Sequence, residues 1–441
     1  MAEITVLLNN EFPIQITSFK SSSTREKFVS TVDLDIAFAN ELTSQDDIYN
    51  TALMLNDQHS VVCIYIDGVR YFTGFVESAN DSEALSQYST SVTLKSKTID
   101  IMQSTYIPIN FDRINGGANF LTNGSINFLN ILKITLQKLG WIVVDPEGSD
   151  ANRRFAEYNV ISIVDKTLGK EKPIILDNKK KGSTTERLYL DGTRSLTKIK
   201  SLKPSKTESA GAFLMRLANE LGLILTTNQD GDIVIEEALA AQEPPLWQNF
   251  TKRIEGNTEY NNIISIGINR DRSQIYHKYY RIVYDADEQN TPQENSNKQN
   301  NFRASIDDNA RKTRHFSYNA SETVNVQKQI TSQEMMAKTM VARSHQLSVV
   351  PISYRYTTIH DLQPKPQERK IIEAGDMVYV YIESLLSNEI IDELMYISDV
   401  SISYVKNNLN MTVKLVSPEY YSNPSVRPRK QIIKQRKLSA I

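Results

Sequence analysis

Hydrophobic and polar residues alternate along both ends of the chain. Over residues 32–38 large apolar side chains occupy every second position, and the same period of two recurs over residues 409–415. A period of two places one set of side chains on a buried face of a β-strand and the other set on the opposite face. Further strand patterns accompany both segments, so the sequence predicts antiparallel β-structure at both ends of the chain.

Two Asp-Gly pairs mark tight turns between strands. Asp67-Gly68 separates the apolar segments 61–66 and 69–76, and Asp230-Gly231 separates two further strands. This dipeptide accepts the positive φ angles of a type I′ turn, whose twist matches that of a hairpin. We therefore predict a hairpin at each pair, and we expect the polar stretch 78–87 to connect the first hairpin to the next strand.

Helical periodicity interrupts the strand patterns. Ser125 provides an N-cap for an apolar stripe that Gly140 terminates, and Thr207 provides one for a second stripe that Gly222 terminates. Residues 332–347 place methionines and alanines at helical spacing, which favours a core helix over a methionine-rich recognition face. The sequence thus predicts three helices within a β-rich chain.

These patterns predict a mainly β fold with α+β insertions. The 441 residues exceed what one hydrophobic core normally organises, so several domains are expected. We expect an N-terminal β domain, a mixed insertion, an α+β domain, C-terminal strands that complete a second β domain, and a basic tail, at 1–105, 106–206, 207–345, 346–420 and 421–441. The α+β domain contains the polar stretch 285–312, which we expect to be a long mobile loop or locally disordered.

A short similarity between the two β regions suggests an internal repeat. Val76 and Val92 are separated by the same number of residues as Ile397 and Val413, and the strings that begin at Val92 (VTLKS) and Val413 (VKLVS) are alike. A duplicated architecture would produce this match. Strand alternation alone also produces such coincidences, so both interpretations stay open at the level of sequence.

Charge and cysteine content exclude several classes of function. Fifty Lys and Arg face 52 Asp and Glu, so the chain lacks the basic excess that general nucleic-acid binding requires. The single cysteine, Cys63, rules out an intramolecular disulfide, and its apolar neighbours indicate a buried, inert thiol. No stretch approaches the roughly 18 apolar residues of a membrane span. We therefore expect no membrane-spanning segment and folding in a cytoplasm.

No motif for catalysis or cofactor binding is present in the sequence. The five histidines are scattered, and the chain contains no HExxH, GxSxG, GxxxxGK[ST] or strand-linked GxGxxG pattern. Adjacent acids such as Asp46-Asp47 and Glu236-Glu237 leave open a glycosidase-type carboxylate pair, although acids in polar loops are usually just solvated. We predict no catalytic, cofactor-binding or metal-binding residues.

A basic tail follows the last predicted strand. Its segment RPRKQIIKQRK lacks acidic residues and combines six cations with two adjacent isoleucines. Such an extension either remains a solvated terminus or binds an acidic partner surface or nucleic acid. Because the two isoleucines gain nothing in water, we expect the tail to dock on a neighbouring protein. The candidate docking residues are Arg427, Arg429, Lys430, Ile432, Ile433, Lys434, Arg436 and Lys437.

Several segments together resemble a known protein family. Residues 68–105 contain a strand that ends in aromatic-x-Gly, a variable hairpin, and a strand that leads into a Ser/Lys-Thr-x-Asp stretch. The residues at these places are Tyr71, Phe72, Gly74, Ser96, Lys97, Thr98 and Asp100. This pattern is similar to that of the baseplate hub proteins of Mu-like and P2-like phage tails, the late control protein D family. Residues 210–236 and 374–418 are similar to the helix-hairpin and the final domain of that family.

The resemblance implies a structural rather than an enzymatic role. Members of this family form homotrimers in which each subunit contributes two tube-like antiparallel β-barrel domains around a mixed α/β middle region. The resulting pseudo-sixfold ring joins the tail tube protein to the central spike protein, contacts baseplate wedge components, and passes DNA as cargo through its lumen. The implied location is the virion tail baseplate, with assembly in the cytoplasm of the host bacterium. No cofactor is implied.

Two alternatives remain from the sequence. A tail-associated peptidoglycan hydrolase with an unrecognised acid pair would combine the same β-rich fold with catalysis. A hub of a type VI secretion spike, or of a long non-contractile tail, would use the same barrels in a different machine.

Overall fold

The structure, a computed structural model, describes the chain in segments. These are residues 2–25, 27–38, 51, 53–57, 59–84, 87–105, 125–148, 152–166, 173–176, 189–190, 194–195, 198–199, 208–220, 223–237, 249–254, 256, 258, 261–269, 278–282, 303–306, 312–313, 315–319, 346–356, 371–384, 389–405, 408–417 and 434–435. Strands dominate these segments, with short helices between them. The predicted mainly β fold with α+β insertions is therefore confirmed.

Seven strands come first in the chain and helices and short strands follow. The first strands are β1 (Ile4–Leu8), β2 (Phe12–Ile14), β3 (Ser18–Thr24), β4 (Thr31–Phe38), β5 (Val61–Ile66), β6 (Val69–Ala84) and β7 (Gln87–Ser96). The described helices are α1 (Ile99–Gln103), α2 (Phe128–Lys138), α3 (Arg153–Ala156) and α4 (Ala210–Glu220). The strands among them are β8 (Ser125–Asn127), β9 (Ile142–Val144), β10 (Val160–Asp165), β11 (Pro173–Leu176), β12 (Tyr189–Leu190), β13 (Arg194–Ser195) and β14 (Lys198–Ile199).

The elements that follow α4 among the described residues are strands. They are β15 (Leu223–Thr227), β16 (Ile233–Glu237), β17 (Asn249–Lys252), β18 (Ile263–Asn269), β19 (Lys278–Ile282), β20 (Arg303–Ile306), β21 (His315–Asn319), β22 (Gln346–Pro351), β23 (Met377–Ser384), β24 (Glu389–Val405), β25 (Asn408–Val416) and β26 (Lys434–Gln435).

Strands from both ends of the chain form one hydrogen-bonded sheet. Its main path runs β18-β22-β25-β24-β3-β4-β7-β6-β5-β1-β2, and β23 joins it by pairing with β24. Buried residues from both ends, such as Leu34, Ile64, Val349 and Val413, belong to a single hydrophobic cluster. The two β regions that the sequence predicts are therefore parts of one continuous structure.

The sheet contains the same five-stranded arrangement twice. We name β3-β4-β7-β6-β5 the first unit and β18-β22-β25-β24-β23 the second unit; all neighbours within each are antiparallel. Val76 pairs with Leu94 just before a β-bulge in the first unit, and Ile397 pairs with Leu415 just before a β-bulge in the second. The internal repeat that the sequence suggested is therefore confirmed as an architectural repeat.

One strand pair joins the two units, and we call it the internal joint. The second half of β24 pairs antiparallel with β3, with Asp399 opposite Thr24 and Val405 opposite Ser18. The first half of β24 pairs instead with β23. Aromatic rings of Phe19 and Tyr404 stack across the joint, with centroids 6.0 Å apart. Strand β24 of the second unit thus pairs with β3, the first strand of the first unit.

An α/β layer packs against β5 and β6 of the first unit, on the side of the sheet that faces away from its main core. Strands β15-β16-β10-β9 form a small mixed sheet, in which β10 is parallel to both β9 and β16. A second hydrophobic core lies between this layer and the large sheet, and it contains residues of the large sheet, α2 and α4. The contributing side chains include Val61, Cys63, Phe75, Phe128, Leu132, Phe213 and Leu217. Cys63 is buried there, as predicted from its apolar neighbours.

The turns that the sequence predicts are confirmed. Asp67 and Gly68 have φ angles of 49° and 75°, the pair of positive values that a type I′ hairpin turn needs. Gly231 has φ 78° between β15 and β16, and Gly140 has φ 91° just after α2. At all of these positions a local backbone requirement selects the residue type, so the sequence is informative by itself.

Other local predictions were wrong. The polar stretch 78–87 is not a connecting segment, because β6 continues to Ala84 and pairs with β7 throughout. Ser125 starts β8 rather than a helix, and α2 begins at Phe128. In these cases pairing with a neighbouring strand overrides the local pattern.

The remaining helix and loop predictions fall partly outside the described residues. The N-cap of α4 is Ser209, whose hydroxyl accepts the backbone N–H of Ala212 at 3.2 Å, whereas Thr207 lies outside the described residues. Of the predicted helix at 332–347, the last two residues belong to β22, and the others lie outside the described residues. Within the polar stretch 285–312, Arg303–Ile306 forms β20 rather than a loop.

Candidate assembly surface

One face of the large sheet presents small polar side chains to solvent, and we call it the polar face. Side chains that lie directly opposite one another across neighbouring strands form rows on this face. One row crosses six strands, from β25 to β6, through Asn410, Ser403, Lys20, Asp33, Thr93 and Ser78. All six side chains are exposed or partly exposed. The opposite face is apolar and forms the core, as in an antiparallel sheet with one solvated side.

Hydrogen bonds between strands hold the polar side chains in place. Thr93 Oγ1 donates to Asp33 Oδ1 at 2.9 Å. Asp35 accepts from Ser91 Oγ at 2.8 Å through one oxygen and from Ser18 Oγ at 2.6 Å through the other. Short side chains lose little conformational entropy when they form such hydrogen bonds between strands, so these polar side chains are held in fixed positions.

Charges of both signs lie on the polar face. On the described strands from β25 to β6 its lysines and acids include Lys20, Lys95, Lys414, Asp33, Asp35, Glu77 and Asp399. Lys414 Nζ lies 4.0 Å from Asp399, and Lys95 Nζ lies 3.4 Å from Glu77 beside the bulge. A surface of this kind presents no strong field of one sign to a passing ion or polymer.

Lys97, at the end of β7, anchors the α/β layer to the large sheet. Its side chain is 1 % exposed, and Nζ donates to the backbone oxygens of Arg154, Glu157 and Val160 at 2.5, 2.9 and 3.0 Å. These carbonyls lie at and beyond the end of α3, where intrahelical donors run out. Burial lowers the pKa of Lys97 to about 8. All three ammonium donors are thus used in a site that water does not reach.

Hydroxyl groups next to Lys97 extend this connection. Thr98 Oγ1 donates to the backbone oxygen of Phe28 and lies 2.9 Å from Ser96 Oγ and 3.1 Å from Thr227 Oγ1. Thr227 Oγ1 also donates to the Phe28 oxygen, at 2.7 Å. The stretch Ser96-Lys97-Thr98, which carries the family resemblance, is therefore the point where β7 meets the α/β layer.

Arg25 ties the α/β layer to the internal joint. Its guanidinium is 2 % exposed, lies 3.3 Å from Glu236 Oε2 on β16, and covers the ring of Tyr396 at 4.0 Å. The Arg25 backbone N–H donates to the Ser398 oxygen at 2.9 Å. Glu236 also pairs with Lys166 at 3.2 Å. One buried arginine thus links both units of the sheet and the layer behind them.

A second group of ion pairs lies between α3 and the turn that joins β15 to β16. Arg154 is 3.5 Å from a carboxylate oxygen of both Asp230 and Asp232. Burial raises the pKa of Asp232 to about 6, against the lowering effect of Arg154. The guanidinium of Arg70, from β6, covers the ring of Phe155 at 3.5 Å. These contacts keep the α/β layer in one position relative to the first unit.

Few of the candidate residues from the sequence lie within the described part of the chain. Of the basic tail, Lys434 lies in β26, whose backbone pairs with β24 opposite Ile390. The other candidate docking residues, Arg427, Arg429, Lys430, Ile432, Ile433, Arg436 and Lys437, lie outside the described residues. So does Asp46-Asp47, whereas Glu236 is taken up by the ion pairs with Arg25 and Lys166.

Sequence reasoning missed the polar face. Its signal is present, because Ser, Thr, Asn, Asp and Lys recur at every second position of β3, β4, β7 and β25.

Among the described residues, no group of three or more His, Cys, Asp and Glu side chains could hold a metal ion. No helix in the described part of the chain is long and apolar enough to cross a membrane.

Comparison with known proteins identifies the fold. No protein-family model matches the sequence, and no curated protein matches it. The 43 kDa tail protein of prophage MuSo2 from Shewanella oneidensis has a similar structure, with a TM-score of 0.60, 15% identity, and coverage of 95% of this chain and 99% of that one. The tail protein from Neisseria meningitidis MC58 has a TM-score of 0.60, 12% identity, and coverage of 97% and 99%. The chain therefore has the fold of phage tail proteins, as its resemblance to baseplate hub proteins predicts.

Proposed function

We propose that this protein is a structural hub of a phage tail baseplate. Three copies form a ring with pseudo-sixfold symmetry, which joins the sixfold tail tube protein on one side to a central spike protein on the other. Baseplate wedge components contact its outer surface, and the ring assembles in the host cytoplasm before it enters the virion tail. The observation that carries this proposal is the repeat: one chain contains two equivalent sheet units joined edge to edge.

A repeat of this kind solves a symmetry problem. A ring of three chains presents three equivalent surfaces, whereas two similar units in each chain present six nearly equivalent ones. At the internal joint, β24 of one unit pairs side by side with β3 of the other. Three chains joined by similar contacts would therefore match a sixfold partner on one side while keeping threefold symmetry for the other.

The polar face suits the wall of the lumen. Many of its side chains are short and bonded to one another, and its charges are of both signs. A wall with a strong basic excess would hold DNA by phosphate contacts, and an apolar wall would be poorly solvated. A hydroxyl-rich surface that carries charges of both signs is well solvated and does not bind DNA strongly. DNA would therefore pass through the ring as cargo and not as a ligand.

The solution mass of the purified protein tests the ring. We expect light scattering to give a mass about three times the 50.2 kDa of one chain, for the protein alone or mixed with the spike protein of the same tail. The spike is included because a threefold partner that binds only the assembled ring shifts the equilibrium from single chains to the ring. A protein that stays monomeric in both preparations would contradict the proposal.

The basic tail is proposed to bind a neighbouring baseplate component. Deletion of residues 427–441 removes six cations and the two isoleucines but none of the strands of either sheet unit. We expect the truncated protein to keep the mass of the intact assembly and to lose affinity for the neighbour in a pull-down with wedge proteins. Unchanged capture would show that the tail is only a solvated terminus.

A further inference from the structure

Two strand edges in the large sheet have no partner among the strands that the structure describes. Strand β18 pairs with β22 on one side only. In β6, residues 69–75 pair with β5, whereas residues 78–84 pair with β7 alone. Backbone N–H and C=O groups along both edges are thus available to another strand.

The repeat relates these two edges to the internal joint. In the pairing ladders, Val76 of β6 corresponds to Ile397 of β24, so residues 78–84 correspond to residues 399–405. In the same way β18 of the second unit corresponds to β3 of the first, with Ile266 in the place of Phe19. The internal joint is the pairing of 399–405 with β3. Its counterpart would be the pairing of residues 78–84 with a β18 strand.

The described strands of one chain do not make this pairing. Strands β18 and β6 stand at opposite ends of the eight-stranded path β18-β22-β25-β24-β3-β4-β7-β6. A head-to-tail contact between copies brings the two ends together, and repeated contacts of this type close into a ring. The occupant of each edge is therefore the opposite edge of a second copy.

The hydrogen bonds at the internal joint indicate which backbone N–H and C=O groups of β6 and β18 would bond to each other. Ser398 accepts a hydrogen bond from the Arg25 N–H, so alternate residues of β24 from Val400 onward direct their backbone groups to β3. The corresponding residues of β6 are Ala79, Asp81 and Glu83. On β22, Ile352 donates to Asn262, so residues 350, 348 and 346 also face β18, which leaves Ile266 and Ile268 facing outward.

We propose that copies of this chain join through β18 of one copy and residues 78–84 of β6 in the next, in the register of the internal joint. In this register Ser82 lies opposite Gly267, Asp81 opposite Ile268, and Glu83 opposite Ile266, as Ser403, Ile402 and Tyr404 lie opposite Lys20, Ser21 and Phe19. The proposal deepens the ring hypothesis and rests on it. It names the strands and the register that close the ring.

The polar faces of the two copies become continuous in this register. Ser82 and Gly267 are exposed and lie on the polar faces of the first and second units, so the rows of polar side chains run on from one copy to the next. A shift of one residue would place the core side of β6 against the polar side of β18. The alternation of both strands therefore selects the proposed register over its nearest competitors.

The core side of the proposed joint differs from the internal joint. Asp81 and Glu83 are exposed and stand where Ile402 and Tyr404 stand in the second unit. Acids that point to the core side of an unpaired edge oppose indiscriminate strand addition. These acids thus keep the unpaired edge of β6 from pairing with other strands before it meets β18 of another copy. We expect the contact between copies to be weaker than the internal joint.

A pair of cysteines tests the register directly. Positions 82 and 267 would form a pair without mutual backbone hydrogen bonds, whose Cα atoms are about 4.5 Å apart in antiparallel sheets, within the roughly 4.4–6.8 Å that a disulfide spans. A Cβ at Gly267 meets Ser348 Cβ only at 3.7 Å, so cysteine fits there. Cys63 is buried and does not compete. The experiment oxidises Ser82→Cys/Gly267→Cys protein under mild conditions and analyses it on a non-reducing denaturing gel.

We expect this variant to run as linked dimers and then as a covalent trimer, which reverts to single chains on reduction. Ser403→Cys/Lys20→Cys is the matched control, because the same pair type at the internal joint links within one chain and leaves the mass unchanged. Ser78→Cys/Gly267→Cys is displaced by four residues along β6. We expect it, and each single variant, to give no covalent trimer.

The outcomes separate this proposal from the ring hypothesis. If light scattering shows a trimer while the Ser82→Cys/Gly267→Cys chains stay unlinked, or if Ser78→Cys/Gly267→Cys links equally well, the ring stands and the proposed joint is wrong. If the unmodified protein and the variants are monomeric with and without the spike protein, the ring and the joint both fail.

Discussion

Replacing Gly74 with alanine is expected to lower the free energy of unfolding by about 3 kcal/mol. A Cβ atom at this position would lie 2.2 Å from the backbone oxygen of Lys95 and 2.7 Å from Cζ of Phe72. Because the Lys95 oxygen belongs to β7, the two strands would have to move apart beside the Gly74–Ser96 pair. The midpoint of urea-induced unfolding, followed by circular dichroism, measures the loss.

Gly267→Ala is the matched control for this prediction. Gly267 also lies in a strand of the large sheet, but a Cβ there meets Ser348 Cβ only at 3.7 Å, an ordinary contact. We expect its free energy of unfolding to change by no more than about 0.5 kcal/mol. Equal losses in the two variants would mean that loss of a glycine in a strand, and not the close approach to β7, is responsible. This approach also explains why the aromatic-x-Gly pattern ends in glycine.

Lys97→Met is expected to be the second severe substitution, with a loss of about 3 kcal/mol. Methionine keeps most of the alkyl chain but leaves the backbone oxygens of Arg154, Glu157 and Val160 without their shared donor in a buried site. We expect the α/β layer to loosen from the large sheet. Hydrogen exchange would show this as lost protection in α3 and β10, together with a lower unfolding midpoint.

Lys95→Met provides the control for Lys97→Met. Lys95 lies two residues away on β7, is partly exposed, and faces Glu77 at 3.4 Å. Exposed pairs of this kind contribute about 0.5 kcal/mol or less. A comparable loss in Lys95→Met would contradict the anchoring role of Lys97.

The pH dependence supplies a second measurement on Lys97. The buried amine has a pKa of about 8, below the 10.5 of an unperturbed lysine, so the unfolded chain binds the extra proton between these values. The stability of the wild type relative to Lys97→Met should therefore rise as the pH increases from 8 to 10.5. A difference that does not change with pH would show that the amine is not buried in the folded protein.

Positions with a strict local requirement were the ones that sequence predicted well. Asp67-Gly68 and Gly231 supply positive φ angles, and Gly140 ends α2, because few other residues adopt these conformations without strain. The alternation at 32–38 and 409–415 located β4 and β25 because a half-buried strand must alternate. These features depend only on neighbours in the chain.

Pairing between distant strands decided the rest. The polar stretch 78–87 looked like a connection, yet its backbone bonds to β7, so its side chains need not be apolar to form a strand. Nothing local distinguishes Lys97, which is buried, from Lys95, which is partly exposed. Burial of an ammonium group depends on carbonyls from residues 154–160, about sixty positions away.

The sequence by itself determined the β-rich class of this protein, its tight turns, the weak trace of an internal repeat and the resemblance to baseplate hubs. Only the tertiary structure decided that the two β regions form one sheet, that β24 joins β3, and that the polar face runs across both units. The physical reason is that periodicity reports which side of a strand is buried. It carries no information about which strand lies alongside, because that choice is made by backbone hydrogen bonds that every residue except proline can form.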